Sequence, residues 1–245
     1  MIQLYQLDNS YHFPSAEQSL AEPNGLIAFG GDLSMGRLVS AYQQGIFPWF
    51  NPGEPLLWWC PDPRAVLPLD SFHRSRSLLK LLRQQRYTFS INRAFERVIL
   101  ACATVPRVQP NSETGELAGT WITDQMTDAY IQLHHAGVAH SIEVWDQREL
   151  VGGLYGVAVG GVFCGESMFH RVPNASKLAF SALVSHMQSY DLDFIDCQLE
   201  NPHLRRLGCK TIARKDFLRA LHISRQRKLP TELWDAQTLH HVVAQ

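Results

Sequence analysis

Apolar positions along this chain recur with two periods, and each predicts an element. Around three to four residues per repeat, the pattern predicts helices. The first follows an N-cap at Ser34 and runs through Tyr42 to a stop at Gly45. Leu78, Leu79, Leu81 and Leu82 supply the buried side of a helix over Ser75–Arg86. Helices are also expected over Ala94–Ala103, over Asp124–Ala136 before Gly137, from an Asn174 cap to about Ser189, and from near Arg214. With period two, Arg64–Leu67 and Tyr87–Ile91 read as strands. His140–Trp145 and Glu149–Val157 pair across Asp146-Gln147-Arg148, and Val162–Phe169 follows the turn at Val159-Gly160-Gly161. Phe194–Leu199 is a further strand. Antiparallel strands, then a helix, then another strand give an α+β fold, with helices packed on a central sheet.

Residues 1–62 are instead dense in turn signals, and Pro61-Asp62-Pro63 is a stiff break. The chain therefore divides into a small N-terminal domain, 1–62, and a larger domain, 63–245. The stretch Val105–Ala118 is polar and turn-rich, which predicts a loop. No internal repeat or low-complexity segment is present.

Composition narrows the class. With 45% hydrophobic, 10% aromatic and 18% charged residues, intrinsic disorder is excluded. The longest uncharged apolar stretch, Val151–Gly165, is too short to span a bilayer and holds six glycines. Met1-Ile-Gln-Leu-Tyr has neither a basic nor a hydrophobic signal region. The five cysteines are odd in number and never spaced C-x-x-C, so reduced thiols in a cytoplasmic protein are expected.

A net charge of −1 hides an uneven distribution. His73–Arg86 carries five Lys/Arg and no acid; His203–Lys228 carries nine and one acid, Asp216. Arg76, Lys80 and Arg83 recur at i, i+4 and i+7, along one helical face. Such a face is either merely solvated or a contact for phosphate-rich nucleic acid.

Three constellations could carry chemistry. Glu166 lies in Gly165-Glu-Ser-Met-Phe169, where strand alternation places Cys164, Glu166 and Met168 on one face and Phe163, Ser167 and Phe169 on the other. A carboxylate in an apolar stretch is either satisfied structurally or acts on something. Asp196 and Gln198 share a face of their strand, close enough to bond directly or through a shared partner; they are a sheet-edge pair or a device that orients an amide. Trp49 and Trp121 sit in turn-rich contexts where a ring either packs or stacks on a base. A Cys164 nucleophile is weak because no His lies within a few residues, and the eleven histidines form no spaced metal cluster.

Several motifs, in order from about residue 11 to 235, resemble the bacterial leucyl/phenylalanyl-tRNA–protein transferases. They are Glu22-Pro-Asn-Gly-Leu, Gly30-Gly-Asp-Leu-Ser34, Gly45-Ile-Phe-Pro-Trp-Phe50, Leu57-Trp-Trp with Pro61-Asp-Pro-Arg64, and Gly119-Thr-Trp-Ile-Thr123. They continue with His140-Ser-Ile-Glu-Val-Trp145, Leu150–Val157, Phe163–Phe169, Asn174-Ala-Ser-Lys177 and Ile195-Asp-Cys-Gln198. The resemblance implies a small N-terminal α/β domain on a catalytic domain like the GCN5-related N-acyltransferases, with a mixed central sheet flanked by helices. It implies transfer of Leu or Phe, also Met, from tRNA to the α-amino group of proteins beginning with Arg or Lys. The transfer would mark them for N-end-rule degradation, by direct aminolysis without a covalent enzyme intermediate or a cofactor.

By the same resemblance, Gln198, held by Asp196, contacts the reacting carbonyl or amine, and Glu166 binds a cationic amino group. Trp49 and Trp121 flank the terminal adenosine with Tyr42 and Tyr130 nearby, and Leu154, Phe163, Met168 and Leu183 take the Leu or Phe side chain. The basic segments, Arg76, Lys80 and Arg83 among them, hold the tRNA. A monomer without membrane contact is expected. Leu154 and Leu183 stand where the family pattern suggests Met and Phe, and the 105–118 linker is longer than usual. Two alternatives are an acetyl-CoA-dependent N-acetyltransferase and a non-catalytic RNA-binding module. The first would need a glycine-rich phosphate turn, whereas Arg171–Lys177 has no glycine.

Overall fold

In the computed structural model, residues 4–105, 107–108, 117–118, 121–240 and 242 are described. The turn-rich N-terminal region forms a four-stranded sheet of short strands that its composition did not announce. β1 (Tyr5–Leu7) runs parallel to β2 (Leu26–Gly30). After α1 (Met35–Gln43), β3 (Phe47–Pro48) and β4 (Leu57–Trp59) complete the order β1-β2-β4-β3. The helix stop at Gly45 is as expected, with φ of 73°.

The rest builds an eight-stranded sheet. It contains β5 (Arg64–Pro68), β6 (Tyr87–Ile91), β9 (Ala139–Asp146), β10 (Glu149–Val159), β11 (Val162–His170), β12 (Phe194–Gln198), β13 (Lys210–Ile212) and β14 (Gln237–Thr238). The order is β13-β5-β12-β11-β10-β9-β6-β14, and of these pairs β11–β12 alone is parallel. Within the 105–118 loop, β7 (Arg107–Val108) pairs with β8 (Leu117–Ala118). Residues 106, 109–116, 119 and 120 lie outside the described residues.

Helices cover both faces. α2 (Arg76–Arg83) and α5 (Ala175–Ser189) pack on one side with Leu154, Phe163 and Ile195 in a common core. α3 (Phe95–Thr104), α4 (Asp124–His135) and α1 cover the other, where the N-terminal sheet joins the core through Phe47 and Trp58. α6 (Pro202–Arg206) and α7 (Arg214–Ser224) follow β12 and β13. Ser75 caps α2, accepting from the Leu78 N–H; of the four leucines expected on its buried side, Leu78 and Leu82 are buried while Leu79 and Leu81 are half-buried. Among the described residues, no helix is long and apolar enough to cross a membrane.

The alternation expected along β11 fails midway. Gly156 pairs with Gly165 but its neighbour Tyr155 pairs with Ser167, so Glu166 is an extra residue in a β-bulge. Cys164 and Phe169 thus belong to one core, whereas Phe163 and Met168 belong to the other. Met168 does not share the Cys164 face. Glycine is required opposite the bulge, because a Cβ on Gly156 would lie 2.2 Å from the Cys164 carbonyl oxygen.

Candidate active site

The parallel pairing of β11 and β12 ends at Cys164–Asp196, and beyond it each strand presents a polar side chain. The bulge presents Glu166. A register shift between Asp196 and Gln198, with Gln198 at φ of 56°, does the same for the amide. Gln198 Nε2 donates to Glu166 Oε1 at 3.3 Å. Tyr130 donates to Glu166 Oε2 at 3.2 Å, and the Tyr42 and Tyr130 hydroxyls are in short contact. Burial pushes the Glu166 carboxyl up to about 7, against the hydrogen bonds from Tyr42 and Tyr130. Burial, then the nearby Glu166 charge, lifts both phenols well above their ordinary range.

Asp196 does not hold the Gln198 side chain. Its Oδ1 accepts the Gln198 main-chain N–H at 3.0 Å and Arg64 Nε at 2.8 Å, and its Oδ2 accepts Arg64 Nη2 at 2.7 Å. Arg64 and Asp196 are each 1% exposed. The guanidinium is sandwiched near Phe47 and Phe217, at 4.9 and 4.4 Å from their ring centres. Burial works against its charge, but Asp196 more than offsets that and raises its pKa. This is a buried strut beneath the site, and Asp196 braces Gln198 through the backbone.

Glu166 and Gln198 line a cavity of about 770 Å³. Leu154, Phe163, Met168 and Leu183 line it too, as the resemblance implied, and Phe180 and Ile195 extend the apolar wall. Trp49 and Trp121 also line it; Trp49 is 40% exposed, and Trp59 Nε1 donates to its carbonyl at 2.7 Å. A corrected placement concerns Tyr42 and Tyr130, which are 2% and 0% exposed and do not line this cavity. Their rings pack in the core and their hydroxyls support Glu166 from below. Alternation along an amphipathic helix could not have revealed that. Arg76, Lys80 and Arg83 are exposed along α2, apart from the cavity lining.

Cys164 is buried and its thiol is pushed well up, chiefly by burial and then by Asp196. It does not line the cavity. Cys197 does, one residue before Gln198, and contact with Cys209 followed by burial raises its thiol pKa. All five cysteines are buried. Neither Cys164 nor Cys197 has the depressed pKa of an activated nucleophile. The site can bind a flat ring, bury an apolar side chain and hold a carboxylate near neutrality beside an amide.

The family model described as "Leucyl/phenylalanyl-tRNA protein transferase" matches residues 66–222, and that of its N-terminal domain matches residues 31–62. A leucyl/phenylalanyl-tRNA–protein transferase of Pseudoalteromonas atlantica is 55% identical over 234 residues, covering 96% of this chain and 97% of that one. Those of Tolumonas auensis and Shewanella denitrificans are 50% and 52% identical, each covering 97% of this chain and 98% and 97% of their own. Among solved structures, L-PGS from Bacillus licheniformis has a TM-score of 0.38 at 14% identity, covering 72% of this chain and 54% of that chain, a likeness too slight to bear on function.

Proposed function

This chain belongs to the leucyl/phenylalanyl-tRNA–protein transferase family, and on that premise we propose how its residues move Leu or Phe, and also Met, from tRNA to a protein N-terminus. One observation carries the reading: a single cavity combines two indoles, an apolar wall and the Glu166–Gln198 pair. Trp49 and Trp121 hold the terminal adenine between them, a stacking arrangement worth about 1–3 kcal/mol per base. Leu154, Phe163, Met168 and Leu183 take the aminoacyl side chain. β-Branched side chains are rejected by shape, with roughly 10–200-fold discrimination for each methylene-sized difference.

The ester is already activated, so the protein's task is to position a neutral amine against it. An α-ammonium group titrates near 7.7–8.0, and a carboxylate near 7 is matched to take its proton. Glu166 receives that proton, the nitrogen attacks the carbonyl carbon, and the Gln198 amide stabilises the developing oxyanion. The C–O bond then breaks and the 3′-hydroxyl leaves with a proton returned by Glu166, whose carboxylate then takes the surplus proton of the new amide nitrogen and passes it to solvent. No covalent bond to the enzyme forms. Asp196 and Arg64 position Gln198 and touch neither substrate.

Acceptors beginning with Arg or Lys suit a site whose one ionisable group at the reacting centre is a carboxylate, and their degradation through the N-end rule completes the reading. Arg76, Lys80 and Arg83 contact the tRNA body. The same reading takes the chain as a cytoplasmic monomer, divided at residue 62 into a small domain and a GCN5-related N-acyltransferase-like domain. The test is transfer of radiolabelled Leu from charged tRNA to a peptide beginning with Arg, with acetyl-CoA as comparison donor. Labelling from acetyl-CoA alone rejects the assignment, and RNA binding without transfer favours a non-catalytic module.

A further inference from the structure

We propose that His170, Lys177, His203 and Arg206 form a phosphate-binding rim on the active-site cavity, which takes a phosphodiester of the donor's single-stranded 3′ end. The proposal rests on the transfer reading above and adds to it a subsite. The four residues come from three elements: His170 ends β11, Lys177 lies in the first turn of α5, and His203 and Arg206 lie on α6. His170 and His203 line the cavity itself.

Among the described residues, the charges of this corner are of one sign. Burial lowers the His203 pKa, and the charges of Lys177 and Arg206, then the His170 imidazole, act in the same direction, with no carboxylate of the described residues among them. The nearest acid in sequence, Glu200, is taken by Arg205, which donates to it from both Nε and Nη2. Lys177 Nζ donates to the neutral Asn174 Oδ1 at 3.1 Å, and among the described residues it forms no ion pair. Like charges gathered beside an apolar cavity repel one another, and an anion placed among them offsets that repulsion with an attraction to each. Asn201, also on the lining, adds a neutral polar group.

Two substrates compete for the description of that anion's source, and their charges separate them. The acceptor's first residue is a cation, which this rim repels and Glu166 attracts. The donor carries a phosphate at every nucleotide, which the rim attracts. The rim therefore assigns each substrate its own side of the cavity, and Lys and Arg side chains with imidazole donors suit phosphate oxygens.

The experiment compares two donors that differ by one phosphodiester: leucyl-adenosine and the leucyl ester of cytidylyl-(3′→5′)-adenosine. The wild-type protein is expected to favour the dinucleotide ester about tenfold in kcat/KM, the scale of one charge-assisted contact. In the variant Lys177→Met/Arg206→Gln, and again in His170→Gln/His203→Gln, that ratio should fall toward one. Equal use of both esters by the wild type overturns the proposal, as does an unchanged ratio in both variants. Because each variant is scored by a ratio of two activities measured on the same preparation, loss of folded protein cancels. Failure of the wild type to transfer from either ester or from charged tRNA would instead refute the transfer reading itself. Inorganic phosphate titrated against the dinucleotide ester separates a general anion site from an RNA-dependent one. Inhibition confined to the dinucleotide ester supports the rim, and equal inhibition of both esters counts against it.

Discussion

Gln198 reaches Glu166 through its side-chain amide, Nε2 to Oε1 at 3.3 Å, while Asp196 takes only its main-chain N–H. The parallel neighbours β11 and β12 therefore meet at one side-chain hydrogen bond over the cavity. In the proposed mechanism the reacting pair is Glu166–Gln198, and the ion pair Arg64–Asp196 lies behind it.

If Gln198 acts on the developing oxyanion, Gln198→Ala should lower kcat by about 10²–10³-fold. The Kd for charged tRNA should change little, because the indoles and basic faces remain. Filter binding beside single-turnover transfer checks this, and equal losses in both would remove Gln198 from the chemical step.

Glu166 at about 7 sets a pH dependence. Transfer should rise with pH through about 7 as the carboxylate becomes available to take a proton, and Glu166→Gln should abolish that limb. A pH–rate profile that keeps its slope in the variant would assign the base elsewhere.

The same group makes a stability prediction. Its folded pKa is raised, from 4.5 to about 7, so the native state holds the proton more tightly than the unfolded chain. Its contribution is fully present below about 4.5 and is lost as pH rises through 7. Glu166→Gln should therefore stabilise the protein by roughly 1–3 kcal/mol more at pH 8 than at pH 4.5. Urea denaturation at the two pH values measures the difference.

Asp196→Asn leaves Arg64 buried without its counter-charge and should cost about 3–5 kcal/mol. Arg64→Met combined with Asp196→Asn should recover part of that loss. A double variant no more stable than the single one would show that the pair contributes through packing against Phe47 and Phe217 rather than through charge.

Reversing the charges of Arg76, Lys80 and Arg83 to Glu should weaken charged-tRNA binding and reduce its salt slope by roughly two to three. Affinities measured across a salt series decide the matter, since an unchanged slope excludes this face of α2 from the contact.

Local pattern carried most of the larger domain. Leu78 and Leu82, buried four residues apart, and the strand Tyr87–Ile91 stand where periodicity places them. The N-terminal sheet escaped because its strands are two to five residues long and lie between turns, so no period had room to develop. Gly165 was a visible mark of the bulge, since glycine within a strand often signals one. Its effect on Met168 depended on the partner strand.

What this chain determined by itself was the identity of its chemistry-bearing residues and their local elements, because side-chain type and short-range periodicity are written in consecutive positions. Which of them face the cavity was decided only in three dimensions. Tyr42 and Tyr130 sit 88 positions apart and become neighbours beneath Glu166, while Arg64 and Asp196 meet across 132. Such contacts depend on strand order and on a register shift, and no run of neighbouring residues encodes either.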